Sequence, residues 1–223
     1  MVAIYASPEG ARAVERRYRE LLERWPVPYE HVRVPTGHGE TFVVACGPAG
    51  APPLLLLHGS GTNSAMWLAD VATWARRFRV HAVDLIGEPG LSAPSRPPLE
   101  PGVYAGWLAE VLAGLGVGRV SIAAVSLGGW MALDYATCRP DRVERLALMC
   151  PSGIGRQRWL PLLGALPLLV ITGGRDRMLD SYGTRRRLLR AAPDADVRLL
   201  PGTGHLLPAH TQEIMDFLET AHA

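Results

Sequence analysis

The chain has 223 residues, 48% of them hydrophobic and 20% charged, with 23 basic against 21 acidic side chains and a formal net charge of +2. That length and apolar content can bury the core of one ordinary domain, which argues against disorder, and the near-balance of charge gives no support for nucleic acid or an anionic membrane as a main partner. All the basic residues are arginine, so covalent chemistry through a lysine Schiff base is excluded. Cys46, Cys138 and Cys150 are widely spaced, with no CxxC pair, which speaks against a zinc site or a disulfide framework and for reduced cytosolic thiols. Residues 1–25 are rich in Arg and Glu and lack the apolar core of a signal peptide. The longest apolar stretch, 159–171, is broken by Pro161 and Pro167 and is too short for a membrane span. A soluble cytoplasmic protein is expected.

Residues 9–24 read as a charged amphipathic helix. Tyr29–Val34 and Thr41–Cys46, separated by Pro35-Thr36-Gly37, read as an antiparallel hairpin. Leu54–Leu57 is continuously apolar, as a strand buried on both faces must be. The chain then alternates: helix 64–77, strand Val80–Leu85, helix 103–115, strand Val120–Val125, helix Leu127–Cys138, strand Val143–Cys150. It continues with strand Leu168–Thr172, helix 181–191, strand Val197–Leu200 and helix Pro208–Thr220. Alternating strands and helices predict an α/β fold with a mostly parallel sheet covered on both faces. The Pro-, Gly- and Ser-rich stretch Gly87–Pro101 reads as a surface excursion. No repeat or linker divides the chain, so 1–223 is read as one domain.

The chemistry gathers at strand ends. The run Val120 to Val125 leads directly into Ser126, with small residues two before it (Ala124) and two after it (Gly128). A sharp strand-to-helix turn lifts a nucleophile clear of its own backbone, and only small flanking residues tolerate that turn. Glycine is usual where Ala124 stands, so the match is near rather than full. Asp176 follows the strand Leu168–Thr172, at the carboxyl end where ligand groups collect in open α/β sheets. Asp180 is the rival acid, but it directly precedes a helix and suits a cap. His205 follows the last strand on the loop Pro201-Gly202-Thr203-Gly204. His210 and His222 lie in or after the final helix, and His31, His38 and His81 have no motif around them. The order Ser126, Asp176, His205 is the order a serine–acid–histidine system on this kind of sheet requires.

His58-Gly59-Ser60-Gly61 follows the Leu54–Leu57 strand. The backbone N–H groups of Ser60 and Leu127 are the candidate oxyanion donors, and His58 reads as a residue that ties the loop down. Trp67 and Trp130 are candidates to line an acyl pocket, with core packing as the alternative. Asp84 is expected to brace the loop after its strand, and Arg185–Arg187 with Arg190 to form a solvated helix face.

These stretches, Leu54–Trp67, Asp84–Pro94, Ala124–Gly129, Ile171–Asp176 and Gly202–His205, resemble the α/β-hydrolase superfamily in its serine carboxylesterase-like branch. The resemblance implies hydrolysis of a small-molecule carboxylic ester through an acyl-enzyme, with neither metal nor organic cofactor. A thioesterase or acyltransferase using the same three residues remains an alternative, as does a hydrolase-like binding protein with little turnover. Relatives insert a helical cap where this chain has only residues 151–167, so the cap is expected to be minimal or absent and the site open. The apolar 159–166 segment would then bind acyl chains, cover the site, or pair two copies as a homodimer.

Overall fold

The computed structural model describes residues 4–154, 166–207 and 210–220. Its centre is one eight-stranded sheet in the order β1-β2-β4-β3-β5-β6-β7-β8. The strands are β1 (Tyr29–Thr36), β2 (Gly39–Cys46), β3 (Pro53–Leu57), β4 (Arg79–Val83), β5 (Val120–Val125), β6 (Val143–Met149), β7 (Leu168–Gly173) and β8 (Asp196–Leu200). β1 and β2 form the expected antiparallel hairpin, and β2 also runs antiparallel to β4. All pairings from β4 through β8 are parallel. The helices are α1 (Pro8–Leu22), α2 (Val71–Trp74), α3 (Val103–Gly114), α4 (Leu127–Cys138), α5 (Ser181–Ala191) and α6 (Thr211–Glu219).

The continuous apolarity of the central strands has its expected cause. Every residue of β5 and β7 is buried, as is Leu54–Leu57 in β3. Successive side chains alternate between two cores. Leu55 and Leu57 join the α3 and α4 side, with Trp107, Leu108 and Met131. Leu54 and Leu56 join the opposite side, where Tyr18 and Leu22 of α1 meet Trp67, Trp74 and Leu218. α1 begins at a Ser7 cap, whose hydroxyl accepts the Gly10 N–H at 3.0 Å, with Pro8 in the first turn. α1 and α6 thus present one apolar face, Tyr18 and Leu22 in the first and Ile214, Met215 and Leu218 in the second, to a sheet whose central strands are apolar on both.

The sheet order reverses at β3, whose neighbours are β4 and β5. A crevice opens beyond the carboxyl ends of the strands at such a reversal. The turns after β3, β5, β7 and β8 all emerge at that edge.

One expected element differs. Residues 64–77 form a 3₁₀ turn, Ser64–Trp67, and the single-turn α2 rather than one helix. Ser64, Trp67, Val71 and Trp74 are buried, which is the helical spacing that the sequence displays. The backbone, however, closes i to i−3 bonds, Leu68 to Ala65, Asp70 to Trp67 and Thr73 to Asp70. Asp84 also pins the first turn by accepting the Ser64 N–H and hydroxyl, at 3.0 and 2.7 Å. Burial periodicity alone does not distinguish these turns from a continuous helix. Residues 155–165, which hold most of the proposed cap remnant and the apolar 159–166 segment, lie outside the described residues.

Candidate active site

Ser126 sits between β5 and α4 with φ +48° and ψ −108°, a backbone conformation that non-glycine residues rarely adopt. It is held there by its N–H donating to Met149 O at 3.0 Å, while its carbonyl accepts the N–H of Trp130 and of Ser152, both at 3.1 Å. The small residues after it are needed sterically. A Cβ on Gly128 would stand 2.4 Å from Leu57 O and 2.6 Å from His58 O, and one on Gly129 would stand 2.9 Å from Pro151. The start of α4 therefore lies directly on the turn that follows β3.

That turn is tied down as its residue types suggest. Buried His58 accepts the Leu85 N–H on Nε2 at 2.9 Å, so its proton resides on Nδ1, which donates to Gly59 O at 2.8 Å. Burial lowers the His58 pKa, which keeps the ring neutral. The Thr62 hydroxyl donates to the same carbonyl at 2.7 Å. Gly59 approaches the nucleophile closely: a Cβ there would lie 3.7 Å from the Ser126 Cβ. Neither the Ser60 N–H nor the Leu127 N–H donates to any described residue. Two polar backbone groups beside the serine are thus open to a ligand atom.

On the other side, His205 Nε2 lies 3.1 Å from Ser126 Oγ and His205 Nδ1 lies 2.7 Å from Asp176 Oδ2. Asp176 Oδ1 accepts the N–H groups of Met178 and Leu179, at 2.8 and 3.0 Å. Burial would raise the Asp176 pKa, but the bonds from His205 and these two amides outweigh it and hold the carboxyl below the usual carboxylate range. The Asp176 side chain is fully covered, while that of His205 is 15% exposed. Glycines let the two loops meet: a Cβ on Gly173 would fall 2.0 Å from Gly204 O. The Gly174 and Arg175 N–H groups donate to Leu200 O and Thr203 O, both at 2.8 Å. Asp180 caps α5 by accepting the Gly183 N–H at 2.8 Å, the role its position suggested.

A cavity of about 320 Å³ adjoins His205, walled by Met66, Trp67, Val125, Met149, Leu206 and Leu207. A second, of about 380 Å³, is walled by Ser60, Ile86, Glu88, Tyr104, Leu127 and Met131. Trp67 thus reaches a cavity beside the imidazole. Trp130 instead packs edge-on to Tyr104, with ring centroids 5.7 Å apart, and against Gly153.

Sequence reasoning missed two groups. Cys150, at φ +41° just after β6, brings its thiol within 4.8 Å of ligand atoms on both Asp176 and His205. This is the one group of three metal-ligating side chains among the described residues, and it fits an ion poorly. Asp176 and His205 already bind each other, and burial raises the Cys150 thiol to about 11, leaving it protonated at neutral pH. The second is Glu88, whose carboxylate reaches back to the Ser60–Gly61 turn. Its only sequence signal is its place in the loop after Asp84.

A mostly parallel sheet with a strained serine at a strand-to-helix turn defines an α/β hydrolase. Residues 54–167, half of the chain, match the alpha/beta hydrolase family, and the chain belongs to that family. Carboxylesterase YbfK of Bacillus subtilis is 36% identical over 148 residues, covering 66% of this chain and 50% of that protein. The uncharacterized carboxylesterase nap of the same organism is 37% identical over 135 residues, covering 60% and 45%. The chain thus spans about half the length of the curated relatives it matches. Among solved structures, carboxylesterase CesB (YbfK) superposes with a TM-score of 0.85 at 24% identity, over 94% of this chain and 98% of that one. Naproxen esterase from Bacillus subtilis superposes with a TM-score of 0.81 at 24% identity, over 96% and 99%. These likenesses extend the shared fold over nearly the whole chain.

Proposed function

We propose that this single-domain protein is a serine hydrolase that cleaves carboxylic esters through an acyl-enzyme on Ser126. The observation that carries this reading is the bonded chain from Ser126 Oγ through His205 to Asp176. Two carboxylesterases among its relatives point to the same chemistry.

The low Asp176 pKa keeps its carboxylate charged, so it accepts Nδ1–H and leaves the Nε2 lone pair of His205 facing Ser126. Nε2 takes the hydroxyl proton as Oγ attacks the ester carbonyl. The oxyanion that forms is met by the Ser60 and Leu127 N–H groups, each worth roughly 3–4 kcal/mol of barrier in comparable sites. Nε2 then hands its proton to the alcohol oxygen, which departs. Water, deprotonated by the same nitrogen, attacks the acyl carbon, and Ser126 is restored as the acid leaves. The leaving oxygen must lie against Nε2, so the alcohol portion belongs in the cavity beside His205 and Trp67. The acyl portion then extends past the donors toward Met131 and Tyr104.

Cytoplasmic residence belongs to the same reading: all three cysteines are free, and no described helix is long and apolar enough to cross a membrane. The test is Ser126→Ala assayed with a p-nitrophenyl ester. Turnover should fall to background while the fold is kept; undiminished turnover would refute the assignment.

A further inference from the structure

We propose that Glu88 is a positioning residue for the oxyanion-donor turn, an inference that rests on the hydrolase reading above. The geometry of two consecutive peptide planes carries it. In the first, Gly59 O is clamped by His58 Nδ1–H at 2.8 Å and by the Thr62 hydroxyl at 2.7 Å. A trans peptide is planar, so clamping that carbonyl turns the Ser60 N–H the opposite way. The second plane, between Ser60 and Gly61, has one described partner, Glu88. Its Oε2 accepts the Gly61 N–H at 2.6 Å and the Ser60 hydroxyl at 3.2 Å.

Among the described residues, nothing else bonds to the tip of this turn. Ser60 and Gly61 are exposed, and Gly61 is at φ +72° with nothing within 4 Å of where a Cβ would stand. Glu88 itself is half-buried and anchored, its N–H donating to Leu85 O at 3.2 Å. Leu85 N–H in turn donates to His58. The carboxylate therefore closes a ring of bonds: His58 to Leu85, Leu85 to Glu88, Glu88 to Gly61, and back along the turn to His58. Opening the ring at Glu88 releases the 60–61 plane, so the clamp on Gly59 O alone is left to fix the adjoining 59–60 plane, and the Ser60 N–H is held less firmly at the position that the oxyanion will occupy. An oxyanion donor acts by being in place before charge develops, so the loss falls on kcat.

The role needs an acceptor and not a charge. A carboxylate beside the turn even opposes the negative charge of the intermediate. Glu88→Gln keeps an acceptor oxygen at the same reach, whereas Glu88→Ala removes it.

The experiment measures kcat and KM for a p-nitrophenyl ester, the rate of fluorophosphonate labelling of Ser126, and hydrogen exchange of peptides spanning residues 58–63. Glu88→Ala should lower kcat and the labelling rate about tenfold with KM within about twofold, while Glu88→Gln stays within about threefold of the parent. Exchange in the 58–63 peptides should quicken at least about fivefold in Glu88→Ala and not in Glu88→Gln. A Glu88→Ala variant that matches the parent in kcat overturns the proposal, as does a Glu88→Gln variant that is equally impaired. If the parent neither labels at Ser126 nor turns over ester, the hydrolase reading fails, and exchange alone decides whether Glu88 holds the turn. Unchanged exchange in Glu88→Ala then rejects it.

Discussion

The two sides of the proposed site are built differently. On the β3 side the turn around Gly59 leans on a buried polar framework. Asp84, with no exposed surface, accepts the Tyr18 hydroxyl at 2.8 Å, the Ser64 N–H and hydroxyl at 3.0 and 2.7 Å, and the Leu91 N–H at 2.8 Å. Ser92 donates to Asp84 O at 2.7 Å and accepts the Phe42 N–H at 2.8 Å. On the β7–β8 side, Asp176 and His205 ride on short surface loops whose neighbours Met178 and Leu206 are 73% and 74% exposed. The donor turn is thus braced from the interior although Ser60 at its tip is exposed, and the groups proposed to move a proton stand on loops at the rim. One side couples to folding and the other to turnover alone, and substitutions should separate the two.

The largest effect belongs to the rim. His205→Ala should lower ester turnover by about 10³-fold or more, with the melting temperature within a few degrees of the parent. Steady-state kinetics beside calorimetry would check both halves of that statement. The interior counterpart is Asp84→Ala, which strands the buried Tyr18 hydroxyl and the Ser64 N–H, while the Ser64 hydroxyl keeps Ala82 O at 3.1 Å. It should cost about 3–5 kcal/mol of stability, read from denaturant unfolding.

A third test lies away from both sides, in β4. Burial, aided by nearby Arg79, lowers the pKa of His81 to about 4 from an ordinary value of 6.5. The folded state thus favours the neutral ring. As pH falls below about 6.5 the unfolded chain takes up this proton first, so stability is full above that value and drains down to about pH 4. The drop should approach 3 kcal/mol, roughly 1.4 kcal/mol per pH unit. His81→Phe should flatten that part of the stability–pH curve; an unchanged slope would show that other groups carry it.

Gly128→Ala probes the seam between the nucleophile and the donor turn. A Cβ forced against Leu57 O and His58 O should cost about 1–3 kcal/mol of stability and reduce turnover as well. The smallest effect is expected on α1, where the Arg19–Glu15 pair lies in solvent, its side chains 52% and 45% exposed. Glu15→Gln should change stability by less than about 0.5 kcal/mol, measurable only as a null against Asp84→Ala.

What the sequence makes legible follows the same division. The mostly parallel sheet could be anticipated because Leu54–Leu57, Val120–Val125 and Leu168–Thr172 are too continuously apolar for anything but strands covered on both faces, whereas the strand order could not. Ser126, Asp176 and His205 stand at strand ends flanked by glycines, and glycine is visible in a sequence because the backbone there needs room. Their meeting within hydrogen-bond distance required three dimensions. The framework around Asp84 was only half visible: its bracing role can be guessed, but its partners Tyr18 and Ser64 lie 66 and 20 residues away with no periodic signal. Glu88 was invisible for the same reason, since a single side chain reaching 27 residues back to Gly61 leaves no pattern. The division of residues 64–77 into two turns was hidden because side-chain burial follows the same spacing in either geometry.

The central claim is that the polarised hydroxyl of Ser126 is the nucleophile. The most direct measurement is peptide mapping of the folded protein after reaction with a fluorophosphonate. The account predicts one adduct, on Ser126, that disappears in His205→Ala. An unlabelled protein, or an adduct on Ser60 or Ser152 in place of Ser126, would contradict it.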